Sequence, residues 1–279
     1  MGIVDFILNL AGLLLWLNWR SNRFDPLIQR LPATLMGTLR PAAPRKLRPW
    51  HLLALVALLL WLRAAVYWWV GAETNWAGKL NLGLVVLWFS SGPHGVGFGH
   101  MALFSFASFG VTLGVFYAWL LVLSLLAGPP PIHGLVRIPL GRVDDWPRWA
   151  RILLPFLVTA GVWWLASGWL MQLHILTPLP PAGRFQQALI LGAGAYLLWK
   201  IPLGAILVLH LLNTYIYFGR HPFWKYIGAT AQTVLQPLKR IPLRAGKLDF
   251  APLLAVGLIF LAAHFAERGL MLLFNRLPF

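Results

Sequence analysis

The sequence predicts an all-α, polytopic transmembrane protein of about six membrane-spanning helices, and three observations carry that prediction. Apolar residues fill 59% of the 279 positions and charged residues only 11%, against roughly 25% charged in soluble domains. The apolar residues gather into six runs near the ~20 residues needed to cross a hydrocarbon core. The basic residues gather in every second loop between those runs.

The first run is Ile3 to Trp19. No basic stretch precedes it and no small-residue cleavage site follows it, so it reads as a retained helix and not as a signal peptide. The second is His51 to Val70, rich in Leu and Ala, the third Met101 to Ala127, and the fourth Ile152 to Leu173. The fifth, Ala188 to Tyr217, is long enough to tilt or to extend past the bilayer. The sixth is Phe250 to Leu270. A shorter apolar stretch, Leu80 to Ser91, leads into the glycine-rich loop 92–99, where glycine and proline break a helix. It reads as an interfacial helix in preference to a re-entrant segment, whose backbone would need cover from protein or water.

The formal net charge is +16, from 23 Lys and Arg against 7 Asp and Glu. In a soluble chain this balance would point to nucleic acid. Here the bases lie between apolar runs, which points to anionic lipid head groups and away from nucleic acid. The loops after the first, third and fifth helices hold 17 of the 23 basic residues. Six helices place those loops on one face, so positive residues inside imply both termini on the non-cytoplasmic side of a bacterial inner membrane. Trp68, Trp69, Trp76, Trp163 and Trp164 suit interfacial aromatic belts. There is no cysteine, so disulfides and cysteine-based metal sites are excluded.

The first and third basic loops look alike. Pro26 to Pro41 and Pro222 to Pro237 have the same spacing, and each pair is followed by a basic cluster and an apolar helix. Between the prolines, Leu27, Leu31 and Leu35 in one loop and Trp224, Ile227 and Ala231 in the other have helical spacing. Each stretch reads as an amphipathic helix on the cytoplasmic surface. The chain thus divides into a first repeat (1–74), a middle insertion (75–185) and a second repeat (186–279). Two intervening helices make the repeats parallel, with a pseudo-two-fold axis along the membrane normal.

The segment Val234-Leu235-Gln236-Pro237-Leu238-Lys239-Arg240-Ile241-Pro242, followed by Gly246-Lys247-Leu248-Asp249-Phe250-Ala251-Pro252, resembles the signature of the YggT family. His221-Pro222 is similar to the family's upstream Asn-Pro or Ser-Pro, and Thr38-Leu39-Arg40-Pro41 resembles a reduced first copy lacking the Gly-x-x-Asp-Phe-x-Pro part. The resemblance covers about 55 residues of the first repeat and about 60 of the second. It implies a small integral membrane protein of bacteria or plastids with no established enzymatic activity. Relatives are linked to osmotic tolerance and ion uptake, to cell division and nucleoid organisation, and to haem assembly. The motif and head-group candidates are Arg40, Pro41, Arg45, Lys46, Pro222, Pro237, Lys239, Arg240, Gly246, Asp249 and Pro252. Asp249 reads as the acidic residue opening the sixth helix, where it would satisfy unpaired N–H groups.

Charges within the spans are the other leads, because an unpaired charge there is costly. Arg63 lies mid-way along helix two, Lys200 within helix five, and Asp5 and Glu267 near outer helix ends. Opposite charges in related positions would lock the helix-one and helix-five halves together, or line an ion path. His100, His174 and His264 fall toward the outer side and are candidates for haem, which needs two His on facing helices, and His94 with His100, flanking the glycine-rich loop, is an alternative ligand pair. They read first as interfacial or packed polar residues, so no cofactor and no metal is expected. No Walker A, Gly-x-Ser-x-Gly or His-Glu-x-x-His motif is present. The expected function is therefore non-enzymatic: a scaffold, assembly factor or accessory subunit, partnered by lipids and by other membrane proteins or copies of itself. An ion channel or carrier and a haem-assembly factor are the alternatives.

Overall fold

A computed structural model describes residues 2–24, 49–74, 77–90, 98–126, 139–216, 222–240, 244–245 and 248–276. It is helical, with six helices long and apolar enough to cross a membrane. The spans are α1 (Ile3–Phe24), α2 (Pro49–Thr74), α3 (Phe98–Leu126), α4 (Arg148–Gln172), the pair α5 (Pro181–Gly194) and α6 (Lys200–Tyr215), and α8 (Ala251–Asn275). A shorter helix, α7 (Pro222–Leu235), precedes the last span. The large apolar side chains left exposed on these helices include Leu58, Trp61 and Leu62 on α2 and Leu157, Val162 and Leu165 on α4. A surface of that composition is stable in lipid and not in water.

The chain gathers into two compact units, one of Met1–Leu80 with Trp88–Leu113, the other of Asn81–Leu87 with Gly114–Phe279. In the first, Val56, Leu60 and Phe109 form the core, backed by Leu15, Trp16 and Leu113. In the second, Ile206, Leu207, Ile227, Ala231, Leu235 and Ala255 pack together. α4 and α5 also pack closely there. A Cβ on Gly192 would stand 2.9 Å from the Phe156 carbonyl oxygen and 3.1 Å from the Ala160 Cβ, so only glycine allows that approach.

The fifth span is not one regular helix. Ala195–Trp199 tightens into a 3-10 turn between α5 and α6. The Trp119 indole N–H donates to the Leu198 carbonyl oxygen at 3.1 Å, which satisfies a backbone acceptor within the turn.

The stretch from Leu80 to Ser91 is not the interfacial helix expected from its apolar content. It contributes to β1 (Ala77–Asn81) and β2 (Val86–Ser90), which pair as a two-stranded sheet. Leu87 and Phe89 are buried while Val86 and Trp88 are exposed, the two-residue alternation of a strand. Gly83, at φ +89°, makes the reversal, and its N–H donates to the Asn81 side chain at 2.8 Å. β-branched and aromatic residues after a glycine turn favour this outcome over a helix.

The expected helix between Pro222 and Pro237 is α7. Its apolar face is packed onto α6 and α8 through Ile227 and Ala231, and not left to lipid. The other expected helix, between Pro26 and Pro41, lies outside the described residues. Asp249 lies one residue before the N-cap position of the last span. It pairs with Arg244 in a short ladder of β3 (Arg244–Ala245) and β4 (Leu248–Asp249), and Phe250 takes the N-cap position without a side-chain hydrogen bond.

Candidate functional site

The intramembrane charges form two ion pairs, one in each unit. In the first unit, Arg63 Nη2 on α2 lies 2.8 Å from Asp5 Oδ1 on α1. Helical spacing assembles the rest of the cluster. Asn9 is one turn after Asp5, and Tyr67 one turn after Arg63. Arg63 Nη1 donates to Asn9 Oδ1 at 2.7 Å, and the Tyr67 hydroxyl donates to Asp5 Oδ1.

A third helix closes this cluster. Ser108 on α3 accepts from Arg63 Nη2 at 3.2 Å and from Asn9 Nδ2 at 3.1 Å. Ser105, one turn earlier, donates to the Leu60 carbonyl at 2.9 Å. The guanidinium also stands 5.4 Å from the Tyr67 ring centre and 5.6 Å from that of Phe104, within cation–π range. The Arg63 side chain is 0% exposed and that of Asp5 8%. This is an enclosed, hydrogen-bonded clamp across three helices, and removal of either charge would strand the other.

The second unit holds the other pair. Lys200 Nζ, at the start of α6, lies 3.3 Å from Glu267 Oε2 on α8. Here the side chains remain 29% and 35% exposed. Glu267 is the only hydrogen-bond partner of the Lys200 side chain among the described residues. Lys200 lines an open groove of about 640 Å³ between the fifth and sixth spans. The α8 side of this groove is built from small residues, Ala262, Ala263, Ala266 and Gly269, and the other side carries Tyr196 and Trp199.

Each pair thus joins two spans of its own unit, α1 with α2 and α6 with α8. They do not link the helix-one half to the helix-five half, as expected from the repeat. Further clusters are structural. Arg151 Nη1 at the start of α4 reaches Asp144 at 3.3 Å and the Ser124 carbonyl and hydroxyl oxygens, each at 3.3 Å. Arg184 donates to Ser167 and to the Trp164 carbonyl.

Among the motif candidates, Pro222 begins α7, and Pro237, Lys239 and Arg240 lie in the 3-10 turn Gln236–Arg240 that follows it. Pro252 is buried in the first turn of α8. Arg40, Pro41, Arg45, Lys46 and Gly246 lie outside the described residues. Among the described residues, no group of three or more His, Asp or Glu could hold a metal ion. His100 opens α3, His264 is exposed on α8 beside Phe265, and His174 follows α4 in the left-handed backbone region at φ 56°.

Asn9, Tyr67 and Ser108 were not foreseen as members of the first cluster. Their signal was present, since polar residues spaced one turn from a charge, or from each other as in Ser105, Ser108 and Thr112, stand out in apolar spans. No protein-family model, curated protein or solved structure matches this chain.

Proposed function

We propose that the chain is a non-enzymatic integral membrane protein of the YggT type, acting as a scaffold, assembly factor or accessory subunit. It would sit in a bacterial inner membrane with both termini on the non-cytoplasmic side and its basic loops on anionic head groups. The observation that supports this best is the enclosed Asp5–Arg63 clamp. Its charges hold three helices in place and leave the perimeter apolar, as suits a protein whose work is done through contact. The groove beside Lys200 offers a contact surface in the second unit.

The test is affinity purification from native membranes followed by identification of what co-purifies. A stoichiometric membrane partner, or copies of the chain itself, is the expected result. Recovery of a solitary chain that conducts ions in proteoliposomes, with flux lost in Lys200→Met, would replace this reading with that of a channel or carrier. A Soret band in the purified protein, lost on changing His100, His174 or His264, would replace it with haem handling.

A further inference from the structure

The two ion pairs differ in what covers them. In the first unit α3 lies over the pair and offers Ser108 to both Arg63 and Asn9. In the second, no third helix supplies such a group among the described residues. The Lys200–Glu267 pair is left partly exposed beside the groove. Lys200 lies two residues past residue 198, the midpoint of the span Pro181–Tyr215, and Glu267 four residues past residue 263, the midpoint of Ala251–Asn275. At about 1.5 Å per residue these offsets are about 3 and 6 Å. With the spans centred in the bilayer, both lie inside a hydrocarbon half-thickness of about 15 Å. A partly exposed ion pair at that depth calls for a polar partner.

The groove has the form of a helix seat. On α8 it extends from Ile259 to Leu273, about 21 Å at the α-helical rise. The small residues there permit close approach of another backbone. An acyl chain would fill the groove but add no hydrogen bond to the partly exposed Lys200–Glu267 pair.

We propose that a second copy of this chain docks in the groove about a two-fold axis parallel to the membrane normal, so that Lys200 of each copy faces the partner subunit's Glu267. Such an axis preserves depth, and it turns the component of the Lys200–Glu267 vector that lies in the membrane plane head to tail against its image. The pair is therefore self-complementary, and the isologous contact closes at two copies. The inference rests on the assembly reading above and names the partner of that surface.

The absence of cysteine makes the test direct. Single-cysteine variants Ala262→Cys and Ala266→Cys, in otherwise unaltered full-length protein, are oxidised in native membranes beside Leu261→Cys and Leu272→Cys. The last two sit on the opposite face of α8 by helical spacing. The expected result is a product of twice the 31.3 kDa chain mass for the groove positions, at least tenfold more abundant than for the controls. In the Ala266→Cys background, Glu267→Lys should cut that product at least fivefold, and adding Lys200→Glu should restore it. Glu267→Gln should lower it without introducing a like charge. Equal cross-linking on both faces, or a dimer indifferent to all three charge changes, overturns the proposal. Groove cysteines that cross-link only to a different protein overturn the second copy while leaving the assembly reading intact. No cross-link to any protein, from a chain that also purifies alone, removes both.

Discussion

Arg63 and Asp5 are 58 positions apart in sequence and 2.8 Å apart in space, and the Arg63 side chain is wholly enclosed. Their bond ties α2 to α1, and Ser108 ties α3 to the same guanidinium. Loss of one charge leaves the other without its counter-ion in a buried site. Arg63→Met or Asp5→Leu alone is expected to lower stability by about 3–5 kcal/mol. Replacing both with apolar residues should cost less than either single change. Reversible unfolding in mixed micelles checks this, and single losses below about 1 kcal/mol would show that the clamp does not hold the unit together.

The Lys200–Glu267 pair should behave differently within a single chain. Its side chains are partly exposed, and the coupling of polar pairs between membrane helices averages about 0.6 kcal/mol. A double-mutant cycle with Lys200→Met and Glu267→Gln in a detergent-isolated monomer should give a value of that order. A coupling as large as that of the first pair would contradict the difference in enclosure.

Gly192 and Gly161 should respond with opposite signs to the same substitution. The Cβ of Gly192→Ala would press on the Phe156 carbonyl at 2.9 Å, and overpacking of this kind costs about 1–3 kcal/mol. A Cβ at Gly161 meets nothing within 4 Å, so Gly161→Ala should gain about 0.5–1 kcal/mol from helix propensity. Parallel thermal melts decide the matter, and equal effects would contradict the α4–α5 contact.

His174 occupies the left-handed region at φ 56°, where the Ile175 and Leu176 N–H groups turn back to the Leu170 carbonyl. That is a helix-ending conformation glycine adopts without penalty. His174→Gly is expected to stabilise the end of α4 by about 1 kcal/mol, read as a raised melting temperature. A lowered one would mean that the imidazole itself makes a needed contact.

The spans were legible because lipid demands long apolar runs, and Asp5, Arg63, Lys200 and Glu267 stood out as charges within them. Their pairing was not legible, since it depends on how helices rotate about their axes and not on composition. Asn9 and Ser108 escaped for a related reason: a small polar residue in an apolar run acquires meaning only when a charge faces it. The strand Val86–Ser90 was hidden by its hydrophobicity, which suits a helix equally well. Asp249 showed the limit of boundary reading, because a shift of one residue in the start of α8 moves the N-cap position to Phe250 and leaves Asp249 in a ladder.

The tight turn at Ala195–Trp199 has a consequence for how the fifth span meets its neighbours. Each residue advances about 120° there instead of about 100°. Over five residues the helix gains about 100° of phase. α5 can then aim Gly192 at α4 while α6 aims Ile206 and Leu207 at α7 and α8. The span works as a crank: one fewer or one more residue at this point would swing α6 by about a third of a turn and carry Lys200 away from Glu267.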